Sequence, residues 1–319
     1  MSTSTLPDGA STYLLDFVES EDTLSFLVAL NELLLELAQD WDLSLLDGVT
    51  VTWDFAKGLK SIDRGPDATE ITFTDNTDLK CVGKVVPVQR AGLWKVHVVY
   101  NAPFVLPLCE PSYEDQAEAR QIVVHECAHV AERKWWLDAF PERRLNQGYE
   151  DSVGALLLGT ADIMWSEYAA CRLTAPYTDA DALTARYAHT LGSVSQRLQP
   201  RISPAFEVAK QKKIAEVLLR DVGALICEPL RLMAYLHGHL DGANQRLPIE
   251  ELCPGLPDEY VRLWDALGAA LRRVWATRGA WKTYPETFDE LRGIAEAAMN
   301  VRGIFFGPAE DGSTAVYVQ

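Results

Sequence analysis

The side chains best suited to chemistry lie in the run Gln121-Ile-Val-Val-His125-Glu126-Cys127-Ala128-His129-Val130. Two histidines four apart on a helix differ by about 40° in direction, so His125 and His129 project from one face, a turn apart, and can chelate one ion. Glu126 stands beside them, where its carboxylate can take a proton from a water that the ion activates. Two imidazole ligands and an adjacent base are the parts that metal-assisted hydrolysis requires. The rival reading, two histidines on a core helix paired with carboxylates, gives no reason for a glutamate at that offset.

A tetrahedral zinc site of the hydrolytic kind needs a third protein ligand and one open position. The extended pattern HExxHxxGxxH is absent, because positions 132 and 135 are Glu and Trp. A carboxylate from a later helix is the other common solution. Glu150, Asp151, Asp162 and Glu167 are available, with His189, His237 and His239 behind them. Glu167 is favoured: its helix carries an apolar stripe through Leu157, Ala161, Met164, Tyr168 and Cys171, and Glu167 stands one turn from Met164 and Cys171, at the edge of that face. A carboxylate there needs a cation or a donor. Zinc supplies one; an ion pair with Arg172 or Arg133 is the alternative.

His125-Glu-Cys-Ala-His129 followed by Glu167-Tyr-Ala-Ala resembles the gluzincin branch of the zincin metallopeptidases, and the E-x-x-A tail is similar to that of the ImmA/IrrE-type bacterial peptidases. The likeness covers His125 to Pro176. It implies one zinc ion per chain held by His125, His129 and Glu167, with Glu126 as general base and acid. It also implies an α+β lobe whose edge strand, expected at Lys95 to Asn101, binds an extended peptide by strand addition. Two departures stand out. The interval from His129 to Glu167 is long for those families, so either Asp138 to Asp151 loops out or the third ligand is another residue; and the position one turn after Glu167, where many gluzincins place a bracing Asp, is Cys171. The partners that orient the ligands are therefore not identified by the pattern.

Stabilising a developing oxyanion takes a Tyr, His or Arg donor. Arg231-Leu-Met-Ala-Tyr235-Leu-His237-Gly-His239 gathers such groups, and Tyr235, His237 and His239 are candidates for transition-state or substrate contacts. His237 and His239 are two apart, unsuited to one helix face, unless Gly238 breaks the helix and leaves both in a surface loop. His97, in the expected edge strand, is a further candidate for substrate contact. Cys127 is about 200° from both zinc-facing histidines and points to the core; Cys171 approaches the site at most.

These residues need a scaffold. Apolar spacing predicts a helix over Leu24 to Trp41, then strands at Gly48 to Trp53, Glu70 to Thr74, Val82 to Val88 and Trp94 to Tyr100, the last two as a hairpin. Ser112 or Asp115 caps the helix that carries the two histidines, expected to run through Ala117 to about Trp136. From there the pattern is helical: Ser152 to Leu173, Asp179 to Leu198, Pro204 to Leu219, Asp221 to His237, Pro257 to Thr277 and Pro285 to Val301, with a short strand at Ser313 to Val318. This is α+β: a zincin-like lobe over residues 1–145, made of a helix, a small mostly antiparallel sheet and the HExxH helix, and a mainly helical lobe over 146–319 that supplies the third ligand and closes a catalytic cleft. No glycine-rich nucleotide-binding motif follows any strand.

Composition narrows the rest. Of 319 residues, 48% are hydrophobic and 24% charged, enough for a large core. A net charge of −17 opposes binding to nucleic acid or to an anionic membrane. The six cysteines are scattered, without a CxxC pair, as expected of reduced thiols. No run approaches the roughly 20 apolar residues of a membrane span, and the N-terminal stretch lacks the charged and apolar regions of a secretory signal. The expectation is a cytoplasmic zinc metallopeptidase acting on a peptide or protein. The rivals are a peptidase-like regulatory or binding protein, inactive or confined to one partner, and a zinc hydrolase of a non-peptide amide.

Overall fold

The computed structural model describes residues 4–66, 81–145, 147–149, 151–212, 215–308 and 314–319. The fold is mixed α+β, and the chain divides into two compact units, Met1–Gln147 and Gly148–Gln319.

In the first unit the order is β1 (Ser11–Leu15), α1 (Glu21–Asp40), β2 (Leu46–Thr52), α2 (Phe55–Ser61), β3 (Gly83–Arg90), β4 (Leu93–Asn101), α3 (Ala102–Val105) and α4 (Tyr113–Ala139). The four strands form one sheet in the order β1-β2-β4-β3. β1 pairs with β2 and β2 with β4 in parallel, and only β3 with β4 is antiparallel. The sheet is therefore not mostly antiparallel as expected. A helix, α1, separates β1 from β2 in the chain, and such a crossover returns a strand parallel to its predecessor. β1 and α2 escaped the sequence pattern because each is short. The expected strand at Glu70 to Thr74 falls outside the described residues.

The hairpin expected between the last two strands is present, and its two-residue turn explains it. Ala91 and Gly92 both take positive φ, 50° and 80°, as a type I′ turn requires. β4 is not an edge strand, however. It lies between β2 and β3, and Val96, Val98, Val99 and Tyr100 are all fully buried. A continuous buried run marks a strand covered on both faces, and the edge position that the resemblance implied for Lys95 to Asn101 is not what the sheet order gives. Among the described residues the outer strands are β1 and β3, and Pro87 in β3 suits an outer position.

The second unit contains α5 (Ser152–Thr174), α6 (Ala180–Lys212), α7 (Ala215–Leu218), a π-helical turn at Leu219–Gly223, α8 (Ala224–Gly242), α9 (Ile249–Leu252), α10 (Asp258–Ala276), α11 (Asp289–Val301) and a hairpin of β5 (Ile304–Pro308) and β6 (Thr314–Val318). Two helix boundaries differ from expectation. α6 runs through Pro200 and Pro204. Both prolines are exposed, as is Gln196, so water can serve carbonyls that proline leaves without a donor. α8 runs through Gly238, because here glycine serves close packing. A Cβ at Gly238 would lie 2.3 Å from the Tyr168 carbonyl oxygen, and one at Gly242 would lie 2.4 Å from that of Arg172. Two glycines one turn apart thus let α8 lie backbone to backbone on α5. Among the described residues no helix is long and apolar enough to cross a membrane.

Candidate metal centre

α4 begins where Ser112 accepts a hydrogen bond from the Asp115 backbone N–H, which settles the choice of cap. Its middle turns are buried: Val123, Val124, Cys127, Ala128 and Val130 are wholly inaccessible. The Tyr100 hydroxyl of β4 donates to the Val123 carbonyl at 3.1 Å, fixing the helix to the sheet just before the motif. The Arg120 guanidinium, 2.6 Å from the Glu36 carboxylate, ties the preceding turn to α1. Cys127 faces this core, as expected, and burial pushes its thiol up to about 12. It is a packing residue and no nucleophile.

On the other side of α4 the His125 and His129 rings stand edge to face with centroids 4.8 Å apart. His125, His129 and Glu167 each offer one ligand atom, and these atoms all lie within 4.8 Å of one another. The donor set fits a metal: two imidazoles and a carboxylate suit zinc and leave a coordination position open. Ligand atoms about 2.1 Å from a tetrahedral ion are roughly 3.4 Å apart. The widest separation must therefore shorten when an ion is held.

Glu126 is 8% exposed and rests on the first residue of β3. A Cβ at Gly83 would come within 2.6 Å of Glu126 Cγ and 2.9 Å of its Oε1. Only glycine leaves the carboxylate where it is. Gly83→Ala is expected to displace Glu126 while preserving the sheet, lowering kcat/KM of hydrolysis by about 10²-fold, the cost of misplacing a reacting group by about 1 Å. Unaltered kinetics in a folded variant would show that Gly83 does not position Glu126.

Glu167, on α5, is half-buried, with its Oε1 3.9 Å from Arg231 Nη1. Tyr235, one turn beyond Arg231 on α8, hydrogen-bonds Glu167, and burial, with the Glu167 charge adding to it, holds the Tyr235 hydroxyl well above its ordinary pKa. Arg231 is itself held by Glu228, its Nε 3.2 Å from Glu228 Oε2. Arg231 and Tyr235 are thus the groups that brace Glu167, which the bare motif left without partners. Glu167 thus meets an arginine, as the alternative reading expected, but it is Arg231; Arg172 is paired with Asp241 and Arg133 with Glu132.

The other candidate ligands lie in different surroundings. Asp162 Oδ2 accepts hydrogen bonds from the Tyr149 and Tyr284 hydroxyls at 2.8 and 2.9 Å. Asp151 caps α5 by accepting from the Gly154 N–H, His189 is exposed on α6, and Glu150 lies outside the described residues. His237 and His239 sit in the core of the helical unit and not in a surface loop. His237 stacks on Trp264 and its Nε2 meets the Trp264 carbonyl at 3.0 Å; burial lowers its pKa to about 3, so it is neutral at pH 7. His239 Nε2 lies 2.9 Å from the Ala180 carbonyl, and burial lowers its pKa too. Both side chains are buried.

His97 is 3% exposed on interior strand β4, with Nε2 2.9 Å from Thr50 Oγ1 and Nδ1 3.2 Å from Asp47 Oδ2. It knits β2 to β4. Burial lowers its pKa, against the raising influence of Asp47. The pattern missed two residues near the motif. One is Gly83. The other is Glu132, fully buried, seven residues after His125 and so on the same face of α4. That seven-residue spacing was visible in the sequence; the reach of Gly83 was not. No protein-family model, curated protein or solved structure matches the chain.

Proposed function

We propose that this chain is a zinc-dependent metallopeptidase of the zincin type. The observation that carries the reading is the convergence of His125, His129 and Glu167 to within 4.8 Å, with Glu126 next to His125 on the same helix. When bound, zinc supplies Lewis acidity toward water and toward a carbonyl oxygen.

The chain's own residues do the rest. Glu126 accepts a proton from the attacking water and delivers it to the leaving amine, as a positioned carboxylate of adjustable basicity can. Gly83, packed against its side chain, leaves the room that the carboxylate occupies. Tyr235 and Arg231 orient Glu167. β3 pairs only with β4 among the described residues and begins beside Glu126, which favours an extended peptide laid along its other edge as the substrate.

The test is chelation and reconstitution. Protein stripped by a chelator is expected to lose all cleavage of a mixed peptide library, and one equivalent of zinc per chain is expected to restore it. Full cleavage by demonstrably metal-free protein would contradict the proposal.

A further inference from the structure

The second unit holds a cluster of opposite charge, built on Asp241 near the end of α8. Its side chain is 1% exposed, and three arginines from three elements converge on it. Arg172 of α5 places Nη1 3.6 Å from Oδ2, Arg272 of α10 places Nη1 3.4 Å from Oδ1, and Arg246, in the segment after α8, donates to Oδ1 as well. The Tyr168 hydroxyl donates to Oδ2 at 2.6 Å and accepts from Arg172 at 2.5 Å. Asp241 thus accepts hydrogen bonds from Tyr168, Arg246 and Arg272, while Arg172 faces it as an ion pair and donates to the Tyr168 hydroxyl.

The arginines are not exhausted. Each guanidinium has five N–H donors, and Asp241 is the only carboxylate within ion-pair distance of these three among the described residues. The Arg246 and Arg272 side chains are 65% and 36% exposed, so their remaining donors are open to solvent. A fourth guanidinium stands nearby: Arg172 and Arg278 lie over the Trp275 ring, 4.4 and 4.1 Å from its centroid. Partial burial, and then the Arg172 charge, hold Arg278 below its ordinary pKa. Holding a fold together requires one arginine opposite one buried carboxylate. Here three arginines face Asp241 alone and leave two positive charges in surplus, in a chain of net charge −17.

We propose that Arg172, Arg246 and Arg272, aligned by Asp241, form a binding site for a phosphate dianion, either the free ion or a phosphomonoester. The planar guanidinium fork matches phosphate oxygens two at a time, and a charge of −2 balances the surplus. Asp241 serves as the buried anchor that orders the forks before the anion arrives. The arginines and Asp241 are not among the candidate metal ligands, and the proposal does not rest on the peptidase reading.

Isothermal titration of the full-length protein with inorganic phosphate, O-phosphoserine and acetate, at constant ionic strength, tests it. Saturable one-site binding is expected for a phosphate species and at least tenfold weaker binding for acetate. A tighter constant for O-phosphoserine assigns the natural ligand to the esters, and a tighter or equal one for inorganic phosphate to the free ion. Arg246→Gln and Arg272→Gln should each weaken binding at least tenfold with the thermal midpoint little changed. Arg273→Gln, which alters a neighbouring exposed arginine paired with Glu290, should leave it within twofold. No saturable binding of either phosphate species, equal binding of acetate, or equal weakening by Arg273→Gln would overturn the proposal.

Discussion

Glu126→Gln is expected to reduce peptide hydrolysis by about 10²–10⁴-fold, the usual contribution of a positioned acid-base group, while zinc content stays at that of the wild type. The substitution keeps the shape of a side chain packed against Gly83 and removes its ability to take a proton. Glu126 is outside the ligand group, so its loss should separate chemistry from metal binding. Peptide-library cleavage measured beside metal content by mass spectrometry gives both readings. Wild-type turnover in the variant would eliminate Glu126 as base and acid. Loss of metal together with turnover would instead make it a structural support of the ligands.

The second large effect is expected at the ligands. His129→Ala is expected to weaken zinc binding well beyond the roughly 10–100-fold that loss of an orienting partner costs, because it removes one of three protein ligands outright. Glu167→Gln should behave in the same direction. Asp162→Asn provides the comparison: Asp162 was an equally available carboxylate by sequence but is bonded by Tyr149 and Tyr284. Its substitution should leave zinc affinity unchanged. Competition titration with a zinc chelator ranks the three variants. An affinity for His129→Ala equal to wild type, or a larger loss for Asp162→Asn, would transfer the third ligand or remove the site.

Much of the metal centre was legible because its signal is local. Four-residue spacing puts His125 and His129 on one face whatever the fold, and the apolar stripe of α5 marks Glu167 as a carboxylate at a buried edge. Helix limits were equally readable where caps and punctuation are strong, as at Ser112 for α4 and Pro257 before α10. What failed depends on neighbours that no local pattern names. Parallel pairing of β1 with β2 is set by a connection and not by composition, and the interior position of β4 depends on which strands flank it. Gly238 reads as a helix breaker in isolation and is a packing residue once the Tyr168 carbonyl lies against it. Both His237 and His239 lie in the core, where each Nε2 meets a backbone carbonyl and burial lowers both pKa values. The bracing of Glu167 by Arg231 and Tyr235, more than sixty positions later, could not be read from the motif.

The central claim is that His125, His129 and Glu167 hold one zinc ion. Anomalous X-ray diffraction collected on both sides of the zinc edge, from crystals of zinc-loaded protein, tests it most directly. A single strong difference peak is expected about 2.0–2.2 Å from a nitrogen of each histidine and an oxygen of Glu167. A peak bound to other residues, or none at this group in a metal-replete crystal, would contradict it.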